Sequence, residues 1–305
     1  MIPVDIASYG LPSSRCLFLS LLSASLMMSA CSQSRGPSGD DDDDSAVVAD
    51  DDDSAGDDDD SSPLGDDDDS SPLGDDDDTS DDVWLATASM YAHTADDLYS
   101  VEDTPPYAVT HVSTFSRLDG SDPPNITDLA VSLDGAMYGI STNGVWHIAP
   151  VTGAMEPVLE TEDEFFVAMT FLADGSLLVG GDANLYEIDL STGTYSTLSS
   201  FMNWDWDGDM VGLPDGFLYC IMRGEGASNS SLVIYDAVFN TILSDADTGV
   251  GSMFGVAYGA ETLFGFTDGG QIVTIDAATG LATEEAWTDL GFWGAATNPV
   301  LWSFE

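Results

Sequence analysis

The sequence has no lysine and four arginines, Arg15, Arg35, Arg117 and Arg223, against 56 acidic side chains, for a formal net charge of −52 at pH 7. Such a chain cannot build the basic surface that phosphate backbones require, which excludes nucleic-acid binding. Electrostatic attraction to anionic lipid is excluded on the same ground. Histidine is scarce too. His93, His111 and His147 stand in different segments with no serine or cysteine motif beside them, and each reads as a packing group before a catalytic one. No long stretch carries the 3.6-residue helical period, so the folded part is expected to be all-β. The apolar run at residues 16–30 is 15 residues long, too short to cross a bilayer comfortably.

That run does suit the core of a signal peptide. It follows Arg15 and leads into Met28-Ser29-Ala30-Cys31. The tetrad resembles the lipobox of bacterial lipoproteins, in which small residues precede a cysteine that is lipidated and becomes residue one after cleavage. The resemblance implies a signal peptide over 1–30, a lipid on Cys31 and a membrane partner reached through that lipid. By analogy with enterobacterial lipoprotein sorting, Ser32 after the cysteine implies an outer-membrane address over the inner membrane. A plain secretory signal using the same small-residue site is the alternative. Of the three cysteines, Cys16 would leave with the signal and Cys31 would carry lipid. Cys220, in the apolar run FLYCIM, has no intramolecular partner and is expected to be a buried small hydrophobe.

Residues 31–82 read as a tether. Between Asp40 and Asp82 there are 23 aspartates in 43 residues, in runs separated by SAVVA, SAG and two copies of SSPLG. Such a segment buries too little apolar surface to offset its ordering entropy, and its like charges repel, so it is expected to be disordered and extended. Loose accumulation of calcium along the aspartate runs is the alternative to a plain solvated spacer.

From residue 83 to 305 the composition changes and a repeat emerges. Segments beginning at Asp128, Ala168, Asp209 and Gly255 align, with turn markers at Gly135, Gly175 and Gly216 and again at Gly153, Gly193, Asn240 and Gly280. A period near 40 built from short apolar strands and glycine turns is that of a β-propeller blade. Each unit offers an inner strand (LAVSL, AMTFL, MVGL, GVAYG), a DG-type turn, a second strand (AMYGIS, SLLVGG, FLYCIM, TLFGFT), a third strand (GVWHIA, NLYEID, LVIYD, QIVTID), a TG-type turn and a polar fourth strand. Residues 83–115 match a third strand without a clear inner one before it. The chain's last twelve residues, GAATNPVLWSFE, look like an inner strand and a second strand with nothing after them. Together the two ends make a further blade and remove exposed sheet edges. The expected fold is a propeller of five four-stranded blades, or six if residues 83–127 hold more pairing.

The repeats resemble the broad bacterial propeller groups that include the NHL, YVTN, SMP-30/gluconolactonase and PQQ-like repeats. The shared turns imply the fold. Asp276-Ala-Ala-Thr279-Gly280 is similar to the D-x-x-T-G of PQQ-like repeats, but the tryptophan those repeats place four residues after the glycine is Glu284 here, so quinone-dependent dehydrogenase activity is not implied.

The best local metal candidate is Asn203-Trp-Asp205-Trp-Asp207-Gly-Asp209, read as a loop entering the fourth repeat. Alternating aspartates with a glycine can wrap a hard cation such as calcium, so Asp205, Asp207 and Asp209 are the candidate ligands. Phe165, Phe166, Trp204, Trp206 and Trp293 are the candidates for a stacking surface toward a protein or carbohydrate ligand. The leading expectation is therefore a lipid-anchored propeller that binds or scaffolds at the cell envelope without catalysis. A metal-dependent hydrolase or lactonase at the channel mouth is the alternative.

Overall fold

The computed structural model describes residues 82–302 apart from 143, 162 and 163. The expected signal segment, Cys31 and the aspartate-rich tether to residue 81 lie outside the described residues. In chain order the strands are β1 (Met90–His93), β2 (Asp97–Val101), β3 (Val109–Thr114) and the short β4 (Ser116–Arg117). They continue as β5 (Ile126–Val131), β6 (Met137–Ser141), β7 (Gly144–Ala149) and β8 (Ala154–Glu160), then β9 (Phe166–Phe171), β10 (Leu177–Gly181), β11 (Asn184–Asp189) and β12 (Thr194–Ser200). The last are β13 (Trp204–Gly212), β14 (Leu218–Gly224), β15 (Ser231–Asp236), β16 (Thr241–Asp247), β17 (Met253–Gly259), β18 (Thr262–Thr267), β19 (Gln271–Ile275), β20 (Ala282–Trp287) and β21 (Gly294–Thr297).

Four sheets are antiparallel meanders, β5–β8, β9–β12, β13–β16 and β17–β20; β4 runs parallel along the outer edge of β8. The remaining sheet has the order β21-β1-β2-β3. The innermost strands β5, β9, β13, β17 and β21 touch in sequence, and β21 returns to β5. The fold is thus a five-bladed β-propeller. Residues 83–127 supply three strands of the closing blade and the short β4, and no sixth blade.

Closure departs from the expected pattern in one respect. The second strand of the closing blade is Met90–His93 from the N-terminal side, paired with β21 from Met90↔Thr297 to His93↔Gly294. The C-terminal residues expected to form that strand instead turn at Pro299–Leu301 as a 3-10 helix. Proline has no N–H for a ladder, and Asn298 holds the turn. Its Oδ1 accepts the Val300 N–H at 3.2 Å while its Nδ2 donates to Ala86 O and Ala88 O at 3.0 and 3.1 Å.

The TG-type turns work by side-chain capping. Asp189 Oδ1 accepts the Ser191 N–H at 2.9 Å, and Asp276 Oδ1 accepts the Ala278 and Thr279 N–H groups, both at 2.9 Å. The Ser191 hydroxyl, donating to Asp189 Oδ1 at 2.6 Å, lowers the Asp189 carboxyl most, and the Thr279 N–H lowers that of Asp276. The residue that then turns the chain has positive φ: Gly193 (63°), Gly280 (75°) and, in the fourth repeat, Asn240 (52°). Asparagine is among the few non-glycine residues that tolerate this region.

Apolar faces of neighbouring blades pack against one another. Phe166, Met169, Val179 and Tyr186 of one blade meet Ala130, Ile140 and Val145 of the one before it. Cys220 is fully buried, as expected, and burial pushes its thiol up. With every blade face covered this way, the surfaces left for function are the two ends of the channel and the outer edges.

Candidate functional site

The inner strands all run in one direction, so the channel has an upper mouth where they begin and a lower mouth where they end. At the upper mouth, aligned positions of the five inner strands carry Asp128, Ala168, Asp209, Gly255 and Gly294. An inner strand is a sheet edge, and its channel-facing N–H groups have no ladder partner. The two carboxylates supply those partners across blade boundaries. Asp128 Oδ2 accepts the Met169 N–H at 2.7 Å, and Asp209 Oδ2 accepts the Val256 N–H at 2.8 Å. Both aspartates are fully buried and hydrogen-bonded to each other. Burial pushes Asp209 up to about 8; burial and then the charge of Asp209 raise Asp128 well above the carboxylate range. At neutral pH the pair therefore holds a proton.

His93 completes this cluster. Its Nδ1 donates to Thr94 O at 2.7 Å, which leaves Nε2 as a lone-pair acceptor, and burial lowers its pKa to about 4. A β-carbon on Gly294 would stand 2.4 Å from both His93 Nε2 and Asp128 Oδ1, so the close approach requires glycine there. Those two atoms have no hydrogen-bond partner among the described residues.

Below this cluster the axis is nearly filled. The cavity between the inner strands measures about 20 Å³, and Pro299 and Trp302 close it at the lower mouth. His111 and His147 lie away from the axis. His111 Nε2 meets Asp97 at 3.2 Å, and His147 stacks on Trp84 with ring centroids 4.6 Å apart.

The expected metal loop is a strand. Residues 204–212 form β13, with an irregular register against β14 between Trp206 and Met210. A regular pleat would put all three aspartates on one face, and that irregularity sends them apart. Asp205 faces solvent, Asp207 is ion-paired with Arg223 and accepts the Ser230 hydroxyl, and Asp209 points into the axis. Among the described residues no group of three histidine, cysteine or carboxylate side chains converges on a point where a metal would sit.

The aromatic candidates also divide. Phe166 is fully buried. Trp206 lies against Gly180, where a β-carbon would come within 2.4 Å of the ring, and its Nε1 donates to Asn184 O at 2.8 Å. Trp204 covers Gly224. These three pack within and between blades, Phe166 wholly and the two tryptophans in part. Phe165 and Trp293 remain at the upper mouth, 50% and 36% exposed.

The lower mouth carries a feature that the residue motifs did not flag. With the closing blade counted first, a cavity of about 510 Å³ opens between it, the fourth blade (β13–β16) and the fifth (β17–β20), beside the C-terminal turn. Leu213, Pro214, Leu301, Tyr258 and Trp302 give it apolar walls, and Asp103, Asp215 and Glu261 give it charge. The Tyr258 and Trp302 rings meet edge to face at 6.0 Å. A second cavity of about 550 Å³ adjoins it, sharing Leu213, Asp215, Tyr258 and Glu261. In the second, third and fourth blades the inner strand leaves through a DG turn with Gly135, Gly175 or Gly216 at positive φ. The fifth blade shortens this to Ala260-Glu261, both at positive φ (44° and 58°), a two-residue hairpin built without glycine. The missing turn length was visible in the aligned repeats as GAET in place of a DG turn.

No family model matches the chain, and no curated protein matches it in sequence. Solved structures match it in part. Hydrazine synthase of Kuenenia stuttgartiensis is 18% identical over 54% of this chain and 49% of its own, with a TM-score of 0.38. A chain of a nidogen/laminin complex is 12% identical over 68% of this chain and 96% of its own, with a TM-score of 0.49. Puromycin hydrolase is 17% identical over 62% of this chain and 32% of its own, with a TM-score of 0.38. This chain thus spans about half of the first and about a third of the last. At such identities and TM-scores the likeness does not extend to activity.

Proposed function

We propose that this is a bacterial lipoprotein whose propeller binds or scaffolds other molecules at the cell envelope, using the cavity at its lower mouth. One observation carries the reading. Ligand-sized space is found beside the axis and not on it: about 510 Å³ in the lower-mouth cavity against about 20 Å³ between the inner strands. Ligand sites of ordinary size occupy roughly 300–1,000 Å³. The carboxylates at the upper mouth are engaged by backbone amides, which suits a structural part for them. In this reading Cys31 carries the lipid, residues 31–82 form the tether, and the outer membrane is the address.

The test has two arms. Full-length protein in a bacterial host is labelled with a fatty-acid probe, which Cys31→Ser should abolish. Purified protein is then assayed for lactone and ester turnover with calcium or magnesium, and for retention on arrays of random peptides and glycans. Retention on an array that falls at least ten-fold in Trp302→Ala, without metal-dependent turnover, is the expected result. Turnover that needs a divalent ion and disappears in Asp209→Asn would replace this reading with a hydrolase at the channel mouth.

A further inference from the structure

We infer that the occupant of the lower-mouth cavity is a lysine- or arginine-bearing segment of a partner protein. This rests on the reading that the cavity is the binding surface. The walls choose the ligand class. Leu213, Pro214 and Leu301 accept the apolar stem of a long side chain or its neighbours, and Tyr258 and Trp302 add aromatic surface, whose ring faces attract a cation. Asp103, Asp215 and Glu261 come from three different blades and lie on one cavity. Among the described residues the basic side chains are Arg117 and Arg223, and neither lines it. Arg117 lies over Trp146 and meets Asp119 and Glu160, while Arg223 pairs with Asp207.

Asp215 is held by neighbouring donors that carry no charge. Asp215 accepts the Phe217 N–H at 3.0 Å and the Tyr219 hydroxyl at 2.8 Å, neutral donors that orient the group and leave its charge in place. Burial and this carboxylate together push the Tyr219 phenol up to about 12, so it stays a donor at physiological pH. A cationic head group therefore finds fixed negative charge beside an aromatic pair. A neutral or anionic ligand of the same shape would leave that charge unpaired, and this asymmetry makes the cavity selective. The acidic surface as a whole adds steering: residues 83–305 hold 32 acidic side chains against two arginines.

The experiment uses the full chain and two end-blocked hexapeptides, one alternating leucine with lysine and the other alternating leucine with glutamine. Calorimetry is run at about 0.15 M salt, where the Debye length is roughly 8 Å, so that binding by distant charges is screened. The lysine peptide should bind one to one and at least ten-fold more tightly than the glutamine peptide. Asp215→Asn/Glu261→Gln should weaken it about ten-fold. Asp205→Asn/Asp245→Asn changes the net charge equally on exposed strand positions away from the cavity and should change affinity less than two-fold. Asp103→Asn gives a second cavity variant if the double one folds poorly. Every variant keeps the aspartate runs of residues 40–82, so their contribution cancels.

Equal weakening in the two double variants would overturn the proposal in favour of diffuse attraction. Equal affinity for the two peptides, with amide exchange slowed at 213–217 and 258–262, would overturn the cation and leave the binding surface standing. No change in exchange at those segments with either peptide would remove the surface as well. If truncation after Trp302 raises the affinity of both peptides ten-fold, the occupant is the chain's own end and the proposal falls.

Discussion

The two mouths of the channel are made from the same five inner strands and do opposite things. At the upper mouth, polar side chains turn inward to satisfy backbone groups, and small residues let them in: Asp128 and Asp209 reach the Met169 and Val256 amides, and Gly294 makes room for His93 and Asp128. At the lower mouth, polar side chains stay at the surface around a cavity, beside a turn of non-glycine residues with positive φ. Charge buried at one end serves the fold, and charge exposed at the other remains available to a ligand. A carboxylate's place in the repeat matters more here than its presence, in a chain with 56 acidic residues.

Removing one carboxylate from each end tests that contrast most severely. Asp209→Ala leaves the buried Val256 and Met210 N–H groups without their carboxylate acceptor, and should cost about 3 kcal/mol. That is near 10 °C in melting temperature for a domain of this size. Gly294→Ala should cost about 2 kcal/mol, because its β-carbon would collide with His93 and Asp128. Asp215→Ala at the lower mouth removes bonds to the Phe217 amide and Tyr219 at an exposed turn, and should cost less than about 1 kcal/mol. Thermal melts of the three variants against the parent decide the matter. Equal losses for Asp209→Ala and Asp215→Ala would erase the distinction between the mouths.

Much of this architecture was legible in the sequence. The forty-residue period, the DG and TG turns and the pairing of the two chain ends follow from local chemistry: which residues cap a turn, tolerate positive φ or alternate along a strand. What stayed hidden depends on contacts distant in sequence. Asn203–Asp209 looks like a cation loop because acids alternate with a glycine; it becomes a strand because Trp206 seats on Gly180 and Asp207 finds Arg223. The union of Asp128 with Asp209 joins positions 81 residues apart. Their common place in the aligned repeats was the available sign, since Asp, Ala, Asp, Gly and Gly at one ring position mix two acids with three residues too small to oppose them. The lower-mouth cavity needed the fifth blade's shortened turn to be read as a change of shape.

The upper cluster also sets a pH dependence with opposing parts. Asp209, raised to about 8, stabilises the fold fully below the unfolded carboxyl value near 4, and this contribution is lost as pH rises toward 8. His93, lowered to about 4, works the other way: its neutral form is the folded one, so its contribution is present above about 6.5 and is lost as pH falls toward 4. Between pH 4 and 6.5 the slopes oppose each other, and from 6.5 to 8 the carboxyl slope stands alone. Stability should decline over that upper window by about 2 kcal/mol for each proton that the carboxyl pair releases there. Denaturant melts at pH 6.5 and 8.0 measure it, with Asp209→Asn expected to flatten the change. A decline that survives in Asp209→Asn would place the titrating group elsewhere.

The smallest expected effect is a gain at the lower mouth. Glu261 has φ of 58° and Ala260 44°, where a side chain costs about 1 kcal/mol that glycine does not incur. Against this, glycine loses more backbone freedom on folding, so the two terms partly cancel. Glu261→Gly should therefore raise the melting temperature slightly, by about 1–2 °C. It also deletes one of the three carboxylates on the cavity, so affinity for the lysine hexapeptide should fall several-fold while the fold becomes firmer. Opposite changes in stability and binding from one substitution identify a residue kept for the surface it makes. If Glu261→Gly lowers both, the side chain supports the turn itself, and the lower mouth resembles the upper one more closely than the contrast allows.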